Sequence, residues 1–164
     1  MTASDLGTEL GVGYEVTIDR TFKAPRELVF DCMTKAEHLA RWWGPHHFDV
    51  PLAESDARPG GKIRLDMRGP EPYGINEVHG EYEVVDRPDT LVMILRAFGA
   101  PDGSWGIEHR TTMQFTDAPE GGTHMHMTTV VLQASDALLP ALSGMREGWN
   151  QSFEKLEAVL PELV

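Results

Sequence analysis

Apolar and polar residues alternate from Tyr14 to Phe22, with Tyr14, Val16, Ile18 and Phe22 on one side, which predicts a half-buried strand. Arg20 interrupts that side near its end. Pro25 suits a first helical turn, and Arg26 to Phe30 begins a short helix with Leu28, Val29 and Met33 as its apolar side. Thr34 with Glu37 reads as a capping box for a second short helix. That helix carries Leu39, Trp42 and Trp43, and Gly44-Pro45 stops it.

Beyond Pro45 the period shortens. His46 to Ala53 is extended but irregular, and Arg58 to Gly61 is a turn. Lys62 to Arg68 sets Ile63, Leu65 and Met67 against charged neighbours. Ile75 to Val85 alternates again, with Val78, Gly80, Tyr82 and Val84 on one face. Asp86 to Asp89 is a tight turn. Thr90 to Phe98 is apolar on both faces, as a central strand is. Gly99 to Gly106 reads as a longer loop carrying Trp105. Glu108–Thr116 and Thr123–Leu132 form a closing hairpin around Pro119 and Gly121-Gly122.

The last segment changes period once more. Leu138, Leu142, Met145, Trp149, Phe153, Leu156 and Leu160 recur at helical spacing, predicting one long helix capped by Ser135. Gly144 and Gly148 weaken it by about 1 kcal/mol each relative to alanine, a poor choice unless something approaches that stretch. An antiparallel sheet with one apolar face needs a cover, and this helix is the element long enough to supply it. The expected architecture is therefore α+β. A curved antiparallel sheet wraps the C-terminal helix, the two short helices close one end, and a space is left between helix and sheet. Residues 14–164 are expected to form a single domain behind a loose, Gly-rich tail, 1–13.

Charge narrows the partners. Acidic residues outnumber basic ones 26 to 14, giving a formal net charge of -12. Such a surface repels phosphate backbones, so nucleic acid is not expected. No apolar run is long enough to span a membrane and no signal-peptide pattern opens the chain, so the expected location is cytoplasmic. The single cysteine, Cys32, allows no internal disulfide.

Candidate chemistry then concentrates on the predicted space. Trp42 and Trp43 point about 100° apart on a helix, so one indole at most faces inward; the plainer reading is that both pack the helix onto the sheet. Met145 and Trp149, beside Gly144 and Gly148, either line a pocket or mark close backbone packing. Met113, Phe115, Met125 and Met127 form an adaptable wall if Phe115 lies opposite Met125, or simply fill the core. His109 shares the inward parity of Met113. It is a candidate donor to a ligand carbonyl or an acid–base, or a histidine satisfied by backbone. Phe98, Trp105 and Leu142 complete the candidate ligand-binding set. Arg20 and Arg96 would hold a ligand carboxylate if turned inward, while the directions of Glu77 and Tyr82 stay open. His124 and His126 share what reads as an exposed face, and His46 and His47 diverge. Neither pair has a third ligand in place, so no metal is expected. No phosphate loop or nucleophilic triad is present, and no cofactor is expected.

Phe22-Lys-Ala-Pro25 followed by Val29-Phe30, Glu37-His-Leu-Ala-Arg-Trp-Trp-Gly-Pro45, Arg58-Pro-Gly-Gly61, His79-Gly-Glu-Tyr82 and Gly148-Trp149 with Leu156 occur in this order. Together they resemble the activator of Hsp-90 ATPase homologue branch of the START-like (SRPBCC) superfamily, over about Tyr14 to Leu160. The resemblance implies a helix-grip fold: a seven-stranded antiparallel sheet, two short helices and a long helix enclosing a cavity. In relatives that cavity holds lipids, polyketides, hormones or other hydrophobic molecules. It implies no single activity. In the eukaryotic co-chaperone the domain follows a separate chaperone-binding domain, which Met1 to Gly13 does not match. The leading expectation is binding of a small apolar or amphipathic molecule. Behind it stand a cavity enzyme of cyclase or hydrolase type with His109 as acid–base, and a chaperone-activating or protein-binding module. A homodimer through a sheet edge or helix face is a further expectation.

Overall fold

The computed structural model describes residues 10–164. Most of the expected tail lies outside that range. Within it, Gly13 already donates its backbone N–H to the carbonyl of Val131 at 2.8 Å.

Seven strands form one antiparallel sheet in the order β1-β7-β6-β5-β4-β3-β2. They are β1 (Glu15–Phe22), β2 (Asp49–Ser55), β3 (Lys62–Arg68), β4 (Ile75–Asp86), β5 (Thr90–Gly99), β6 (Trp105–Asp117) and β7 (Thr123–Ala134). β2 to β7 run as a meander. β1 returns to the far edge on β7, with Ile18 opposite Met127 and Phe22 opposite Thr123. The chain must therefore cross the sheet between β1 and β2. Helices α1 (Arg26–Thr34) and α2 (Ala36–Trp42) make that crossing over one end of the concave face.

The concave face is apolar because the strands keep period two. Val16, Ile63, Leu65, Tyr82, Leu91, Met93, Met113, Phe115, Met125 and Met127 are all buried. Phe115 lies opposite Met125 and Met113 opposite Met127, as the methionine cluster requires. Val84 departs from the pattern. A bulge between Tyr82 and Val84 shifts the register against β5 and turns Val84 outward, leaving it exposed. Tyr82 points inward, and its hydroxyl meets Ser55 Oγ at 2.7 Å while Ser55 donates to the Thr34 carbonyl. This chain of bonds fastens the α1–α2 corner to β2.

Two caps differ from expectation. Thr34 is the last residue of α1 and its hydroxyl donates back to the Phe30 carbonyl, so Lys35 and not Thr34 precedes α2. Ser135 makes no side-chain cap either. The terminal helix is also not continuous. A 3-10 turn (Asp136–Leu138) and a short helix α3 (Leu139–Leu142) precede α4 (Met145–Leu163), with Gly144 at the joint. Pro140, without an N–H, and Gly144, with little helical preference, explain the interruption. Helix α4 buries Trp149, Phe153, Leu156 and Leu160 against the sheet and α2. No helix among the described residues is long and apolar enough to cross a membrane.

Candidate functional site

The helices do not fill the concave face evenly. At the α1 end, Phe30 packs edge-on to Phe115 with ring centroids 5.8 Å apart, and Phe22 packs edge-on to Phe153 at 6.0 Å. At the other end, between α4 and the middle strands, a cavity of about 280 Å³ remains. Its floor is Val78, Leu95, Ala97, Ile107 and His109, and its roof is Leu142, Met145, Gly148, Trp149 and Ser152. Trp43, Pro45 and Phe48 close one side, and Tyr73 and Phe98 stand at the rim. Leu95, Leu142 and Ile107 are buried, whereas Tyr73, Phe98, Ala141 and Gly144 are exposed, so the cavity is deep at the floor and its mouth lies among those four residues.

The two glycines on the roof settle one sequence question. A β-carbon added to Gly148 would meet Pro45 Cγ at 3.9 Å, and one on Gly144 would meet the Ala141 carbonyl at 3.7 Å. Both are ordinary van der Waals distances, so neither glycine is forced by close backbone packing. What they do is keep side-chain volume out of the cavity mouth.

The adjacent tryptophans divide their work. Trp42 is fully buried; its indole N–H donates to the Cys32 carbonyl at 2.8 Å and its ring stacks on Phe153. Trp43 lines the cavity and packs edge-on to Trp149 at 5.3 Å. Gly44, at φ 93°, allows the sharp turn that follows. That turn is tethered from α4. Lys155 Nζ donates to the carbonyls of Trp43, Gly44 and Phe48 at 3.0–3.2 Å, with Pro45 at 3.5 Å. Burial lowers the Lys155 pKa and the charge of Asp49 opposes that shift. The carbonyls themselves favour the ammonium form by accepting its hydrogens.

His109 supplies the cavity's imidazole. Its Nδ1 lies 2.9 Å from Thr111 Oγ1 and 3.0 Å from Thr129 Oγ1. The ring is half-buried and lines the cavity. Desolvation lowers its pKa to about 4, so the imidazole is neutral at ordinary pH. No carboxylate touches the ring among the described residues. Asn76, also on the lining, accepts the Phe98 N–H through Oδ1 at 3.2 Å. Phe98 itself has φ 58°, a left-handed backbone rare for a bulky residue.

Of the ten sequence candidates, Trp43, Phe98, His109, Leu142, Met145 and Trp149 line the cavity. Trp42, Met113, Met127 and Trp105 do not. The methionines have the inward parity expected but sit at the end of β6 and β7 that the short helices cover. Parity gives a face, not a position along the strand. Trp105 starts β6 instead of riding a loop. The left-handed residue Phe98 breaks the alternation, and Trp105 stands outside, 5.1 Å from the His79 ring. Both arginines are engaged elsewhere. Arg96 bridges Glu81 and Glu108 on the outer face, and Arg20 pairs with Glu157 of α4. Glu77 lies beside His79 and Arg64. His124 and His126 share Asp19 on the outer face, and no cluster of metal-ligating side chains occurs among the described residues.

Sequence reasoning missed Asn76, Thr111, Thr129 and Lys155. The first three carry a usable signal, being polar residues at inward parity. Lys155 carries none, because its acceptors are main-chain atoms distant in sequence.

A model of the activator of Hsp90 ATPase homolog 1-like protein family matches residues 23–161. The chain belongs to that family. Solved structures share its fold. A Mycobacterium smegmatis protein is 24% identical, with a TM-score of 0.74 and coverage of 95% of this chain and 93% of that one. An Arthrobacter aurescens protein is 23% identical, with a TM-score of 0.77 and coverage of 90% and 86%. The AHSA1 protein of Silicibacter pomeroyi is 22% identical, with a TM-score of 0.72 and coverage of 92% and 99%. No curated protein matches the chain. Family and fold thus agree with the START-like reading.

Proposed function

We propose that this family member binds a compact, neutral, mostly apolar molecule between α4 and the sheet. The observation that carries the reading is the cavity itself, about 280 Å³ of space with a largely apolar lining and a neutral imidazole on its floor. That volume is at the small end of the roughly 300–1,000 Å³ usual for small-molecule sites, which favours one- or two-ring compounds over long-chain lipids. A binding role fits better than catalysis. Thr111 and Thr129 are wholly buried and do not line the cavity, so neither hydroxyl reaches a substrate as a nucleophile. His109 would need a second acid–base group beside it, and the lining holds no carboxylate or second histidine, its one phenol, Tyr73, standing at the exposed rim.

The test is a thermal-shift screen of neutral one- and two-ring aromatics and terpenes, run on wild type and Gly148→Leu. Leucine at 148 projects into the mouth beside Pro45. The expected result is a raised Tm with some compounds for wild type and none for the folded variant. Indifference of the wild type to every neutral apolar class would overturn the reading. Stimulation of a chaperone ATPase by the unliganded protein, with Gly148→Leu equally active, would favour a protein-binding role instead.

A further inference from the structure

The hydrogens around His109 can be counted. Thr111 Oγ1 and Thr129 Oγ1 lie 2.7 Å apart, and each is within 3.0 Å of Nδ1. Both threonines are wholly buried, so each hydroxyl hydrogen must find its acceptor inside this triangle. If Nδ1 carried a hydrogen it could not accept one, the single contact between the two oxygens would hold one hydroxyl hydrogen, and the other hydroxyl would be left without an acceptor. With Nδ1 bare, one hydroxyl donates to the other and that one donates to Nδ1, and nothing is left over. The ring hydrogen then belongs to Nε2. Nε2 has no partner among the described residues, and no polar side-chain atom sealed from solvent lacks one. Nε2 is therefore reached from the cavity that the ring lines.

We infer that the Nε2–H of His109 donates a hydrogen bond to an oxygen acceptor of the bound molecule, so that the cavity selects apolar ketones, esters or lactones over hydrocarbons of the same shape. This rests on the cavity-binding reading and adds the chemical class of the ligand. The threonine pair is the positioning device, since it fixes the tautomer without touching the ligand. Trp149 lies edge-on to the imidazole at 6.4 Å and walls the same region.

Two measurements test it. The first uses the unliganded protein: long-range proton–nitrogen NMR of His109 should place the pyridine-like nitrogen at Nδ1 and the pyrrole-like nitrogen at Nε2. The reverse assignment would overturn the inference, because the cavity would then offer an acceptor. The second compares 2-acetonaphthone with 2-isopropenylnaphthalene, which differ by a carbonyl oxygen against a methylene. Wild type should bind the ketone about two- to tenfold more tightly. His109→Phe should retain the hydrocarbon and lose the preference. Equal affinities in wild type would sink the acceptor inference and leave the cavity reading standing. Binding of neither compound would sink the acceptor inference, and silence in the wider screen as well would remove both.

Discussion

In the unfolded chain His109 titrates near 6.5, and in the folded protein burial lowers it to about 4. Between those values the unfolded chain holds a proton that the folded one refuses. The stability tied to neutral His109 is therefore complete above pH 6.5, falls as pH drops from 6.5 to about 4, and changes no further below. The whole effect is on the order of 3 kcal/mol. Subtracting the melting curve of His109→Phe from that of wild type across this window isolates it from the carboxylates, which both proteins share. A flat difference would mean that the ring is hydrated in the folded state. Lys155 makes a second residue-scale case. Lys155→Met keeps the stem and removes the charged donor from three close carbonyls at the Trp43–Phe48 turn. The expected cost is about 1–3 kcal/mol in urea unfolding, with faster ligand release because the turn forms a cavity wall.

Elements were legible where periodicity alone decides them. The alternation in β1, β3 and β4 and the helical stripe from Met145 to Leu160 needed no tertiary knowledge. The same reading placed His109 on the inner face. What it could not supply was which end of a strand the short helices would cover, and so Met113 and Met127 were grouped with His109 although they lie under α1. Nor could it see the left-handed turn at Phe98 that sends Trp105 outside. Glycines show the difference between pattern and packing most clearly. A β-carbon on Gly80 would sit 1.9 Å from the Ile94 carbonyl oxygen, a clash with the neighbouring strand's backbone. Gly80→Ala should therefore break the β4–β5 pairing and cost more than about 2 kcal/mol. Gly148→Ala meets only an ordinary 3.9 Å contact and should stabilise α4 by up to about 1 kcal/mol, while trimming the cavity mouth. Urea unfolding of the two variants should move in opposite directions. From the sequence Gly80 was simply one member of an apolar face, while Gly148 stood out as costly without showing whether it left room or marked close packing.

At the scale of the molecule, charge and cavity act together on ligand choice. The chain carries a formal net charge of -12, and the cavity lining contains no lysine or arginine. The cations nearest in fold are already committed, Lys155 to main-chain carbonyls, Arg20 to Glu157 and Arg96 to its two glutamates. A carboxylate entering the cavity would lose its hydration and meet a neutral imidazole in place of a counter-ion, which costs several kcal/mol for an unpaired ion. The surface field opposes its approach as well. 2-Naphthoate should therefore bind at least about a hundredfold more weakly than 2-acetonaphthone at neutral pH, a gap of about 3 kcal/mol. Added salt should narrow the gap only slightly, because screening acts on the surface contribution and not on desolvation within the cavity. A naphthoate that bound as tightly as the ketone would require a cation to turn inward, and Lys155 leaving its carbonyls would be the movement to look for.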